Sequence, residues 1–141
     1  MHSKIKVALI GTGNVAEHVI KGIYENVKPW HESVGGFKVN DIEVVGLFDV
    51  NKKKVGKSVR EIYNTGPEVT IEPSVIYPEE IGREMSASLE FVKTDEFTFK
   101  NKIKNLDADQ VINIINSGQQ KVSEFFAKTS AESGSSFVNA T

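Results

Sequence analysis

A mostly apolar hexapeptide, Ile5-Lys6-Val7-Ala8-Leu9-Ile10, runs without a break into Gly11-Thr12-Gly13-Asn14-Val15-Ala16. The first run lacks strict alternation, as expected of a strand covered on both faces. In the turn, Gly11 permits a tight reversal and Gly13 removes a Cβ, so that backbone N–H groups can approach an anion. Ala16 lets the following helix pack close to the strand. Such a turn offers a helix N-terminus to a dinucleotide pyrophosphate. The same residues would also serve as a strand-to-helix turn with no ligand.

The rest of the chain alternates in the same way. Ala16, Val19, Ile20, Ile23 and Val27 recur at helical spacing, so a helix is expected from Asn14 until Pro29 stops it. Residues 29–41 form a connection longer than the usual ~2–6 residues. They read as a functional lid or packed insertion, or as an Ω-loop pinned by Trp30 and Phe37. Ile42 to Phe48 is a second strand with Asp49 at its end, and Asn51 to Tyr63 a second helix closed by Thr65-Gly66-Pro67. Val69 to Ile71 is a short strand. Residues 73–95 carry little pattern beyond a short helix after Pro78. Glu96 to Leu106 reads as helix and Val111 to Ile115 as a buried strand. Ser117-Gly118 turns into a helix from about Gln119 to Glu132, with Val122, Phe125, Phe126 and Thr129 inward and Gly134 after its end. Residues 136–140 form a last strand. Strands alternating with helices, joined by right-handed crossovers, predict an α/β fold: a Rossmann-like, doubly wound parallel sheet with helices on both faces.

Composition narrows the chemistry. The 141 residues suit one domain with a sizeable core. The chain has no cysteine, which excludes disulfides, thiolate catalysis and zinc–thiolate sites. A net charge of −2 favours neither nucleic acid nor an anionic membrane surface. The apolar run after Met1-His2-Ser3-Lys4 is too short for a signal peptide, and no stretch approaches the ~18 apolar residues of a span. A soluble, cytoplasmic protein is expected. His2, His18 and His31 lack metal-ligand spacing. The paired acids Glu79-Glu80 and Asp107 with Asp109 read as solvated surface.

Asp49 is the second anchor. A carboxylate at the end of the second strand can accept both hydroxyls of an adenosine ribose and repels a 2′-phosphate, favouring NAD over NADP. Its distance from the glycine turn exceeds the usual ~20 residues, and the long connection accounts for the excess. The other reading of Asp49 is an N-cap for a helix from Asn51. Lys52-Lys53-Lys54 reads as a solvated helix face. Asn116 and Ser117 close a strand expected beside the first one, where they would wall the nicotinamide side or simply form a turn.

Three stretches resemble the inositol-phosphate synthases, in particular their prokaryotic branch: Lys6 to Ala16, Asp41 to Lys57, and Glu124 to Ala127 with Phe137 to Ala140. The most specific is Phe48-Asp49-Val50 followed by Lys54-Val55-Gly56-Lys57; residues 64–108 match poorly. In that family NAD is held and recycled while glucose 6-phosphate is oxidised at C5, cyclised by an aldol step and reduced, a net isomerisation. The resemblance implies cofactor roles for Gly11, Gly13, Asn14 and Asp49, and places Gly118 in the later cofactor-wall loop. With Thr12, Val15, Asn116 and Ser117 these make the candidate cofactor-binding set. The chain departs from the family where Tyr77-Pro78-Glu79-Glu80-Ile81-Gly82 replaces a threonine-leucine-aspartate-glycine type segment. It departs again at Asn116, where the family has proline, and at Gln119, where serine is usual. The family's catalytic lysines and tetramerisation sheet fall outside the resembling region, so no catalytic residue and no metal ligand is assigned.

The resemblance implies that residues 1–141 are the NAD-binding Rossmann domain of a longer isomerase acting on a sugar phosphate, inactive alone and open to homo-oligomerisation. The rival is a stand-alone module that senses NAD or docks on a partner. A third reading keeps the fold and loses the ligand.

Overall fold

The computed structural model describes residues 3–141, so His2 lies outside the described residues. Five strands, β1 (Ile5–Ile10), β2 (Ile42–Asp49), β3 (Ile71–Pro73), β4 (Gln110–Asn113) and β5 (Ser136–Asn139), form one sheet in the order β3-β2-β1-β4-β5. Every pairing is parallel. The helices are α1 (Asn14–Tyr24), α2 (Val59–Tyr63), α3 (Arg83–Ser88), α4 (Glu96–Leu106) and α5 (Gln120–Glu132). The chain reverses direction across the sheet between β1 and β4, which makes this a Rossmann-like, doubly wound fold with its crevice beside β1.

Both faces of β1 are apolar because both are covered. Val7 and Leu9 pack with Ala16 and Ile20 of α1 and with Val59 and Tyr63 of α2. Ala8 and Ile10 pack with Phe99 and Ile103 of α4 and with Val122 and Phe126 of α5. On that second side the Phe48 and Phe99 rings meet edge-on at 5.0 Å. Full burial of each such ring contributes about 1.5–3 kcal/mol.

β2 carries a bulge. Val7 pairs with Val44 and Ala8 with Gly46, leaving Val45 as an extra residue. Val44 and Leu47 therefore share the α1/α2 side, while Val45 and Phe48 share the α4/α5 side. The Val44 N–H donates to the Tyr24 hydroxyl (3.0 Å), tying the end of α1 to the bulge.

Several element boundaries differ from expectation. α1 stops at Tyr24 rather than running to Pro29, and Val27 is exposed rather than part of the stripe. Beyond Ile23 the helix would have no core left to cover. The expected helix from Asn51 exists only as α2. Residues 51–57 are turns in which Lys54 and Val55 N–H both return to the Asn51 carbonyl, and Gly56 sits at φ +88°. Ser58 then starts α2 with a capping box, its hydroxyl accepting from Glu61 N–H and the Glu61 carboxylate accepting from Ser58 N–H. The third strand begins at Ile71, where Val69 to Ile71 was expected. Trp30 does not pin the 29–41 connection, because it is 100% exposed. What shapes that segment is a tight hairpin in which Val34 and Phe37 exchange both backbone hydrogen bonds, at 2.8 and 3.0 Å, around Gly35-Gly36. Among the described residues no helix is long and apolar enough to cross a membrane.

Candidate functional site

The glycine-rich turn leaves β1 at its C-terminal end. Gly11 donates its N–H to the Phe48 carbonyl (2.7 Å) and turns at φ +110°. A Cβ there would lie 2.8 Å from the Ile114 carbonyl oxygen. Gly13 is different: it adopts φ −80° as the N-cap of α1, and a Cβ would meet no protein atom within 4 Å. Gly11 is thus required by the protein's own packing, whereas the space over Gly13 is open. Ala16 is fully buried against the sheet, as its small size predicts.

Between the two glycines, Thr12 is buried and held on every polar group. Asp49 Oδ2 accepts its N–H (2.9 Å) and its hydroxyl. Its carbonyl accepts from the Tyr63 hydroxyl (2.8 Å) and from Lys54 Nζ. Burial, then the nearby Asp49 carboxylate, push the Tyr63 phenol up to about 12, so it stays a donor at neutral pH. Asp49 Oδ1 accepts from Val50 N–H (2.6 Å) and Asn51 N–H (2.8 Å), although no helix starts at Asn51. Lys54 is therefore not part of a solvated helix face. Lys52 is, by contrast, exposed and paired with Glu90 at 2.9 Å.

A cleft of about 170 Å³ opens over the C-terminal ends of β1, β2, β3 and β4. It brings together Gly11, Thr12, Gly13, Asp49 and Asn116 from the candidate set. Asn14 and Val15 are exposed at the start of α1, next to this lining but outside it. Ser117 and Gly118 are exposed beyond Asn116, and Gly118 borders a separate shallow groove with Ser123 and Asn139. Met85 of α3 and Leu89 just after its end line the cleft, and Asn116 Nδ2 donates to Met85 Sδ at 3.2 Å.

The N-termini of α1 and α5 flank this cleft, and they are not equivalent. At α5, the Glu80 carboxylate accepts from Lys121 N–H (2.5 Å) and Val122 N–H (3.0 Å), so the protein supplies its own anion. Glu80 is a cap reaching across from another segment rather than solvated surface. At α1 no side chain caps the terminus. The first-turn N–H groups there, with the positive end of the helix dipole, face the open space above Gly13. His18 and His31 are both exposed and outside the cleft lining.

Sequence reading missed Lys54, Tyr63, Ser74, Met85 and Leu89. Tyr63 carried a signal as an apolar-face residue of the second helix and Lys54 as part of the resembling stretch; the places of Ser74, Met85 and Leu89 depend on how distant segments come together in the fold.

No family model matches the chain. Among the most similar curated relatives is the inositol-3-phosphate synthase of Mycolicibacterium smegmatis, 25% identical over 97% of this chain and 43% of its own length. The chain thus spans less than half the length of the curated relatives it matches. Among solved structures, a myo-inositol-1-phosphate synthase-related protein from Thermotoga maritima superposes with a TM-score of 0.69, at 18% identity over 96% of this chain and 47% of that one. RSP, a Rex-family repressor solved with β-NAD+ and operator DNA, gives 0.52, at 14% identity over 98% of this chain and 51% of that one. At these identities the structures speak for the fold.

Proposed function

The chain is related in sequence to the inositol-3-phosphate synthases over nearly its whole length, and we propose that it binds NAD as the cofactor-holding portion of an isomerase of that kind. The observation that carries this reading is the contrast between Gly11 and Gly13. Protein atoms crowd the first, while the second faces open space in front of an uncapped helix N-terminus. Two phosphates over Gly13 would accept the free N–H groups of Asn14 and Val15 and sit at the positive end of the α1 dipole. The about four acceptor sites of Asp49 are already taken by the Thr12 N–H and hydroxyl and by the Val50 and Asn51 N–H groups, so a ribose hydroxyl would bind there by displacing one of them, the Thr12 hydroxyl being the side-chain donor free to rotate away. Asn116, with Ser117 and Gly118 beyond it, would wall the nicotinamide side.

The bound dinucleotide would supply hydride chemistry for the conversion of glucose 6-phosphate to an inositol phosphate. This chain's residues would hold it, keep its phosphates neutralised and exclude a 2′-phosphate at Asp49. Among the described residues Lys54 is the single lysine lining the cleft, and its ammonium is engaged by the Thr12 carbonyl. The isolated chain is therefore expected not to form inositol phosphate. RSP's operator DNA belongs to a protein that shares the fold at 14% identity and adds no nucleic-acid role here.

Calorimetry with NAD, NADH and NADP tests the reading. NAD or NADH is expected to bind, and NADP to bind more weakly. Absence of binding by all three at millimolar concentration overturns the cofactor assignment, and a preference for NADP overturns the role given to Asp49.

A further inference from the structure

The Thr12 carbonyl accepts two hydrogen bonds from outside its own loop. The Tyr63 hydroxyl reaches it from α2 at 2.8 Å, and Lys54 Nζ reaches it from the turns before α2. Tyr63 is 7% exposed and packs in the core with Ile20 and Val59, so its hydroxyl is fixed in place. A trans peptide is flat, with its C=O and N–H on opposite sides. Holding the Thr12 carbonyl towards Tyr63 therefore turns the next N–H, that of Gly13, the other way. That N–H has no protein acceptor among the described residues, and the space where a Gly13 Cβ would stand is open.

Without that hold the peptide has a second orientation. Gly13 sits at φ −80°, and a glycine adopts positive φ with no steric penalty. The Thr12–Gly13 peptide could thus turn over and point its carbonyl oxygen where its N–H now points. An oxygen there would repel those of a phosphate. The glycine that opens the space also makes the turnover easy, and two donors oppose it. We propose that Tyr63 is a positioning residue for the glycine-rich turn: with Lys54, its hydroxyl fixes the Thr12–Gly13 peptide so that the Gly13 N–H joins those of Asn14 and Val15 in holding the pyrophosphate. This inference rests on the NAD reading above. It adds a residue on α2, outside the cleft lining, that acts on the phosphates through the backbone without touching them.

The test is calorimetry on the whole chain with NAD and ADP-ribose, and an NMR titration with adenosine, which carries no phosphate. The variants are Tyr63→Phe, Lys54→Met and the two combined. One neutral hydrogen bond corresponds to a change of about 3- to 10-fold. Tyr63→Phe keeps the ring and is expected to weaken NAD and ADP-ribose at the lower end of that range, because Lys54 still holds the carbonyl. Adenosine should be unaffected. Lys54→Met also removes a positive charge from the cleft, and the double-variant cycle cancels that contribution. The double variant leaves the carbonyl with neither donor and should lose more than the product of the two single losses, by about 3- to 10-fold. Should it not fold, Tyr63→Phe alone decides. A hydroxyl that only stabilises the core would lower Tm in Tyr63→Phe and leave every affinity alone. Unchanged NAD affinity in Tyr63→Phe, an equal loss for adenosine, or losses that simply multiply in the double variant overturn the proposal while the NAD reading stands. Failure of the wild type itself to bind NAD or ADP-ribose overturns both.

Discussion

Asp49 Oδ2 accepts both the amide N–H and the hydroxyl of Thr12, so a carboxylate at the end of β2 fastens the glycine-rich turn that follows β1. The residue expected to meet a ribose is thus also the one that shapes the phosphate loop. Asp49→Asn keeps the size but sets an amide N–H against one of these donors. It is expected to lower stability by about 1–2 kcal/mol and to weaken NAD. Removing that charge should also lower the pKa of Tyr63, which sits beside it. Denaturant unfolding and tyrosine absorbance read the two effects separately.

Gly11 and Gly13 should respond in opposite ways to substitution. Gly11→Ala meets the Ile114 carbonyl at 2.8 Å with φ in the left-handed region, so a loss of about 2–3 kcal/mol is expected. Gly13→Val places its side chain in open space at an ordinary φ and should cost under about 1 kcal/mol, as a poorer N-cap. It should nevertheless abolish dinucleotide binding. Thermal melts with and without NAD measure both.

The three tyrosines should titrate late. Burial raises Tyr24. Burial and Asp49 take Tyr63 to about 12, and burial together with its hydrogen bond to Glu96 takes Tyr77 to about 12. In the unfolded chain each ionises near ~10. The folded state therefore holds these protons more tightly. For Tyr63 and Tyr77 this contribution to stability is whole below pH ~10 and is lost as pH climbs towards about 12, and Tyr24 acts in the same direction. Phenolate absorbance rising near pH 10 in the folded protein would contradict this.

Trp30, the single tryptophan, is fully exposed and should report nothing about folding. Its emission is expected at the solvent-exposed maximum both before and after denaturation. Trp30→Ala should change stability by less than about 0.5 kcal/mol. A blue-shifted native spectrum would reinstate a packed 29–41 loop.

Met85 and Asn116 meet at the lining of the cleft. At about 170 Å³ the cleft is smaller than the ~300–1,000 Å³ of typical ligand sites, so a shift of Met85 is expected if the proposed dinucleotide binds here. Met85→Ala should raise the NAD association rate a few-fold in stopped-flow measurements. An unchanged rate would show that α3 does not gate entry.

The strands and the α1 turn were legible because their causes are local: apolar runs, small residues and a position next to a turn. Asp49 was found for the same reason. The helix ends were not. Val27 continues the α1 stripe in sequence but has nothing to pack on, and Gly56 breaks a helical pattern whose apolar residues, Val55 and Val59, still reach the core. Ser58 with Glu61 was a readable start signal for α2 that the longer pattern masked. Ser74 could not have been found, since its burial in the cleft wall is defined by its surroundings. Nor could the Glu80 cap, which depends on a helix some 40 residues away.

The bulge at Val45 gives β2 one residue of slack. Removing Val45 would restore a regular ladder while Val44, Leu47 and Phe48 kept their present sides. Asp49 would still face Thr12. A chain one residue shorter at that point would therefore keep the acid turned towards the loop it holds, so the count of residues between glycine turn and acid can differ by one without parting them in space.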